Sequence, residues 1–142
     1  MLSAKELQAK IAQAQAAKAS EALKNQQAAE AEKAALFDRM SKPSGLSDKE
    51  ILERAERIIS RAAENGLLSV QVYRFPNNLC TDNGRAINQH EQGWEKTLTG
   101  VGKEIHEFWQ RELQKRGYKI RYDIVDYPGG MPGDVGITLS WD

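Results

Sequence analysis

Large apolar residues are sparse over the first forty positions and recur with helical or strand periods thereafter. Residues 3–40 contain neither Gly nor Pro and consist mainly of Ala, Gln, Lys and Glu, which favour helix. One continuous helix of about ten turns is expected there. Its apolar face is thin: Leu2, Leu7, Ile11, Leu23, Leu36, Phe37 and Met40 are its large apolar residues, and only alanine lies between Ile11 and Leu23. Leu7, Ile11 and Ala14 begin a heptad seam that large residues do not continue. Three readings stay open: a close-packed alanine interface, a helix ordered on docking, and a frayed arm. A lone helix gains most of its stability from packing.

Ser41-Lys42-Pro43-Ser44-Gly45 breaks the helix. Ser47 and Glu50 have the spacing of a capping box, and Leu46 and Ile51 that of a hydrophobic staple. A second helix follows to about Asn65, its apolar face marked by Ile51, Leu52, Ala55, Ile58, Ile59 and Ala62, and Gly66 stops it. Leu68 to Phe75 alternates, with Leu68, Val70 and Val72 on one face and Ser69, Gln71 and Tyr73 on the other. Pro76 ends this strand. Residues 76–93 have no usable period, and a loop of that length in a small domain is usually functional or disordered.

A third helix is expected over Trp94 to Arg116, closed by Gly117. Gly100 and Gly102 weaken its early part, so the helix starts late or something packs closely there. His106 falls beside the apolar stripe, at the surface or its boundary. Tyr118 to Tyr127 and Val135 to Trp141 read as strands, separated by Pro128-Gly129-Gly130-Met131-Pro132-Gly133.

The fold class expected is α+β: a long N-terminal helical arm, residues 1–44, then a compact α/β domain, residues 45–142. The domain order α-β-α-β-β implies a small two-layer sandwich with a three-stranded mixed sheet. The first two strands, joined by a crossover helix, are expected to pair in parallel, and the last two as a hairpin. The open face would carry Tyr73 and Phe75, with Tyr127 as a further candidate. The carboxyl ends of the first two strands share one edge, where ligands of α/β sheets collect. The residues expected there as a ligand-binding set are Cys80, Asp82, Arg85, His90, Trp94, Asp126 and Asp134.

Composition narrows the functional classes. Twenty basic and twenty acidic residues leave no net charge to attract nucleic acid or anionic lipid. One cysteine rules out an intramolecular disulfide framework. No apolar run approaches the roughly 18 residues of a membrane span, and the N-terminus lacks the order of a signal peptide, so a cytoplasmic protein is expected.

Each catalytic pattern is incomplete. Cys80 with His90 and Asp82 offers the residue types of a nucleophilic set, but a small packed cysteine is the simpler reading. One Cys and two distant His lack zinc spacing, and Asp82-Asn83-Gly84 is more simply a turn than part of a calcium loop. Thr97 to Glu104 contains Gly-x-Gly-Lys but lacks the outer Gly and the final Ser or Thr of a phosphate loop. Tyr73, Arg74, Phe75, Lys119, Arg121 and Tyr127 are candidates for single-stranded nucleic acid, without an RNA-binding motif around them. No cofactor or metal is expected.

The function expected is a non-enzymatic interaction protein. The arm would mediate self-association as a homo-oligomer, a dimer being simplest, or dock on a protein partner, while the domain binds a partner or small ligand at its loop edge. The alternatives are a small enzyme or anion-binding domain using the 76–93 and 128–134 loops, and a single-stranded nucleic-acid binder.

Overall fold

Uninterrupted helix formers produce an uninterrupted helix. In the computed structural model, which describes residues 1–142, helix α1 spans Ala4–Met40. Ser3 begins it by accepting a hydrogen bond from the Glu6 amide on its side-chain oxygen. No residue of α1 is buried. Two compact units are present, Met1–Phe37 and Asp38–Asp142. No helix is long and apolar enough to cross a membrane.

The second unit is an α+β fold with a three-stranded sheet. Helix α2 spans Asp48–Glu64, and its N-cap Ser47 accepts from the Glu50 amide at 3.2 Å. At its end the Gly66 and Leu67 amides turn back to the Ala63 and Ala62 carbonyls. Strand β1 is Ser69–Phe75, β2 Lys119–Ile124 and β3 Val135–Ser140. The helix between β1 and β2 starts later than the apolar stripe alone implies. Trp94–Thr97 forms a separate 3₁₀ turn. Helix α4 then runs Gly100–Phe108 and continues through a π-turn, Trp109–Leu113, and a 3₁₀ turn, Gln114–Arg116. A one-turn helix α3, Arg85–Asn88, lies within the 76–93 segment.

The strand order is β1-β3-β2, and both pairings are antiparallel. The β2–β3 hairpin is present as expected. The parallel β1–β2 pairing is not, because β3 inserts between them, and the sheet is antiparallel rather than mixed. Burial explains the order. Val135 and Ile137 are fully buried and Leu139 nearly so. Arg74 on β1 and Lys119, Arg121 and Asp123 on β2 suit strands that border solvent. The most apolar strand takes the centre.

A second correction concerns β1. Gln71 pairs with Thr138 and Tyr73 with Ile137, so Val72 is an extra residue at a bulge. One inserted residue reverses the phase of the alternation beyond it. Tyr73 shares a face with Ile137 and Tyr122, and Phe75 shares it with Val135 and Ile124. Phe75 is therefore buried rather than displayed on the open face. The basic residues Arg74, Lys119 and Arg121 stand on the opposite face. Tyr73 and Phe75 thus lie on one face of the sheet and Arg74, Lys119 and Arg121 on the other.

The helices cover the apolar face. Phe108, Leu113 and Leu139 form a buried cluster, with Ile51, Leu52 and Ile59 from α2 and Val72, Trp109, Tyr118 and Ile120 packed around it. Close approach of α4 to the sheet depends on Gly102, since a Cβ there would lie 3.1 Å from the Phe75 ring. The buried Tyr122 hydroxyl donates to the Gly102 carbonyl at 2.7 Å.

Candidate functional site

The shared edge at the carboxyl ends of β1 and β2 survives the change in pairing. Phe75 and Ile124 both stand beside Val135, so the segments that follow them leave the sheet together. Hydrogen bonds join these segments. Asn77 Nδ2 donates to the Pro132 carbonyl at 2.8 Å, and the Tyr127 hydroxyl donates to Asn88 Oδ1 at 2.9 Å.

The 76–93 segment is packed, not loose. Leu79, Cys80, Ala86 and Ile87 are buried along it. Asp82 explains its central turn: one carboxylate oxygen accepts from the Gly84 amide at 3.0 Å and the other from the Ala86 amide at 2.9 Å. These bonds place Asp82 at the start of α3, where it satisfies otherwise orphaned amides. Thr99 stands at the N-cap of α4, but its hydroxyl is directed to the Leu79 carbonyl rather than to its own helix. That contact fastens the segment to the helix start.

Cys80 is only 3 % exposed, and burial pushes its thiol up to about 11 against a weaker opposing hydrogen bond with Thr97. At neutral pH it is an uncharged, packed group with little nucleophilic character. Arg85 is exposed and pairs with Glu91 at 3.2 Å, so an incoming anion would compete with that carboxylate. His90 is exposed and adopts a left-handed backbone conformation with φ of 54°.

Asp126 and Asp134 are brought together by Arg74, which is not among the residues expected at this edge. Arg74 Nε donates to Asp134 Oδ2 at 2.8 Å, and its terminal nitrogen donates to Asp126 Oδ2 at 2.9 Å. Asp126 Oδ1 also accepts from the Asp134 amide at 2.6 Å. The three side chains clamp the β2–β3 connection onto β1. One guanidinium between two carboxylates carries a net charge of −1, which favours neither phosphate nor carboxylate ligands. Met131 stands exposed at the tip of this connection.

Trp94 belongs to a different cluster. Its ring centroid lies 4.9 Å from that of Tyr122 and 5.5 Å from that of His106. His106 also faces Trp109 at 5.7 Å and Tyr122 at 6.0 Å. Three aromatic rings thus enclose the half-buried imidazole, which the stripe had placed only at the surface or its boundary.

Burial lowers the His106 pKa below its ordinary 6.5, with Glu95 and Glu107 pulling the other way. Between the lowered value and 6.5 the unfolded chain binds more protons than the folded chain, so stability falls as the pH falls through that window. Melting temperature is expected to drop on acidification from pH 7 toward the lowered pKa at constant ionic strength. His106→Gln should flatten that part of the profile; an unchanged slope in the variant would remove His106 as its cause.

An open groove of about 420 Å³ lies between Pro43, Leu98 and Thr99 and the Lys103, Glu104 and Glu107 side of α4. Its central carboxylate is already engaged, since Glu104 accepts from the Ser44 amide at 2.9 Å and the Ser44 hydroxyl at 2.8 Å. No group of three His, Cys, Asp or Glu side chains is gathered in the arrangement a metal ion needs. The chain matches no family model, no curated protein and no solved structure.

Proposed function

We propose that this chain is a non-enzymatic interaction protein whose N-terminal arm, helix α1, assembles it with a second copy of itself. The observation that carries this reading is α1 itself. Thirty-seven residues of helix bury no side chain, and Leu7, Ile11, Leu23 and Leu36 stand 45–54 % exposed along it. A helix of this length with its apolar residues in water gains stability when they are covered. Arg74 and Arg85 each already have carboxylate partners, and the Cys80 thiol is buried and uncharged, so the loop edge supports a structural reading better than a chemical one.

Self-association couples helicity to concentration by mass action. The midpoint of thermal loss of the arm's helical signal is expected to rise with concentration in the full chain. Leu7→Ser combined with Leu36→Ser should lower that midpoint and remove its concentration dependence. A midpoint that does not move with concentration in the unaltered chain would count against assembly through the arm.

A further inference from the structure

The sheet has two outer edges, and they differ. The bulge at Val72 interrupts β1, and a bulged edge pairs poorly with a further strand. Strand β2 keeps a regular register with β3 throughout, from Lys119 opposite Ser140 to Ile124 opposite Val135. Hydrogen bonds at the ends of the ladders fix which way the β2 backbone faces. The Trp141 amide donates to the Leu68 carbonyl, and the Val125 amide to the Asp134 carbonyl. Residues of an antiparallel strand turn their backbone groups alternately to one side and the other. Lys119, Arg121, Asp123 and Val125 therefore face β3. Ile120, Tyr122 and Ile124 turn theirs to the open edge, where no other segment bonds them.

An unpaired edge is a template for another strand, and charged side chains along it ordinarily deter pairing. On β2 the charges instead select a strand of the same kind. Arg121 and Asp123 share the uncovered face of the sheet and pair along the strand. Outward-facing residues meet only outward-facing residues, so two β2 strands pair antiparallel with a two-fold axis at a residue, never between residues. An axis at Arg121 sets Arg121 against Arg121, and one at Asp123 sets Asp123 against Asp123. An axis at Ile120 sets Lys119 against Arg121, and one at Ile124 leaves Asp123 against Val125. With the axis at Tyr122, Arg121 of each copy meets Asp123 of the other. The four charges then alternate in sign around the axis, because each Arg121 has Asp123 beside it both along its own strand and across the new one. On the opposite face half-buried Ile120 meets half-buried Ile124.

Resting on the self-association reading above, we infer that the two domains of the dimer join edge to edge at β2, antiparallel about Tyr122, so that their sheets become one. A single two-fold axis serves the arms and this edge alike. Assembly through the arms supplies the effective concentration that so small a contact needs.

The test is disulfide cross-linking in the full chain. Cys80 is buried, so its thiol does not compete. In this register Lys119 of one copy stands opposite Val125 of the other at a non-hydrogen-bonded position, with Cα atoms about 4.5 Å apart. Identical residues at either position lie about 20 Å apart along the paired strands. Lys119→Cys and Val125→Cys chains, which keep Arg121 and Asp123, are prepared separately, mixed and oxidised mildly. The mixed product is expected to form at least about tenfold faster than either same-site product, because reaction requires Cα atoms within about 7 Å. Arg121→Asp added to both chains should slow the mixed product about tenfold, and Asp123→Arg added to that variant should restore it. Molar mass is measured on the same samples under reducing conditions. A dimer without preference for the mixed product overturns the edge pairing and leaves arm assembly standing. A preference that survives Arg121→Asp overturns the charge pairing as what fixes the register. A monomer overturns arm assembly and edge pairing together.

Discussion

Replacing Phe108 by Ala is expected to cost about 3–5 kcal/mol, the range for truncating a buried aromatic residue. Phe108 is 2 % exposed and sits at the meeting of both helices with the sheet. On one side it touches Leu113 and the central-strand residue Leu139; Ile51, Leu52 and Ile59 of α2 close the cluster. Removing the ring takes away apolar area buried from every layer at once and leaves a cavity that three rigid elements cannot collapse to fill. Small domains are stable by only about 5–15 kcal/mol, so the loss is a large fraction of the margin. Urea unfolding followed by tryptophan fluorescence reads the change as a lower midpoint. A loss below about 1 kcal/mol would contradict the packing described.

Gly100→Ala is expected to cost about 3–4 kcal/mol through a different mechanism. Gly100 opens α4 with φ of +56°, a left-handed conformation that disfavours a side chain. The added Cβ would also fall against the Met40 carbonyl oxygen and within 2.7 Å of the Ser41 carbonyl carbon. Both obstacles are backbone, so no side chain can swing aside. Gly117→Ala provides the comparison. Its φ is +90°, but nothing lies within 4 Å of the new Cβ, so only the conformational cost of about 1 kcal/mol remains. Equal effects at the two positions, measured by the same urea titration, would show that the close approach at Met40–Ser41 contributes nothing.

These two sites also mark where the sequence was readable and where it was not. Gly100 and Gly102 stood out because glycine inside an apolar stripe needs a reason, and both reasons are present: a late helix start and a ring packed on the backbone. The bounds of α2 followed from Ser47 and Gly66, whose cap signals are local. The order of the strands was not local. Antiparallel β3 lies between β1 and β2 because Val135, Ile137 and Leu139 gain most from the centre, a comparison among distant segments. The bulge at Val72 escaped for a related reason. Gln71-Val72-Tyr73 carries no Gly or Pro to mark an inserted residue, yet the insertion moves Tyr73 and Phe75 to the core face.

The candidate site was legible in place and not in partnership. Strand direction alone brought the 76–93 and 125–134 segments to one edge. Buried Leu79-Cys80 and Ala86-Ile87, two apolar pairs seven residues apart in a polar stretch, could have marked the first segment as packed. Asp82 could have been read as a cap for the residues after Gly84. The clamp of Arg74 on Asp126 and Asp134 spans 52 and 60 residues, and no short-range pattern encodes it. The aromatic enclosure of His106 likewise combines Trp94, Trp109 and Tyr122 from three parts of the chain.

Assembly through the arm is the central claim, and molar mass in solution tests it most directly. Light scattering on the full chain after size exclusion should give twice the 15.9 kDa of one chain, and a single chain's mass when Leu7 and Leu36 are both replaced by Ser. A full chain that remains at 15.9 kDa at high micromolar concentration would contradict the account.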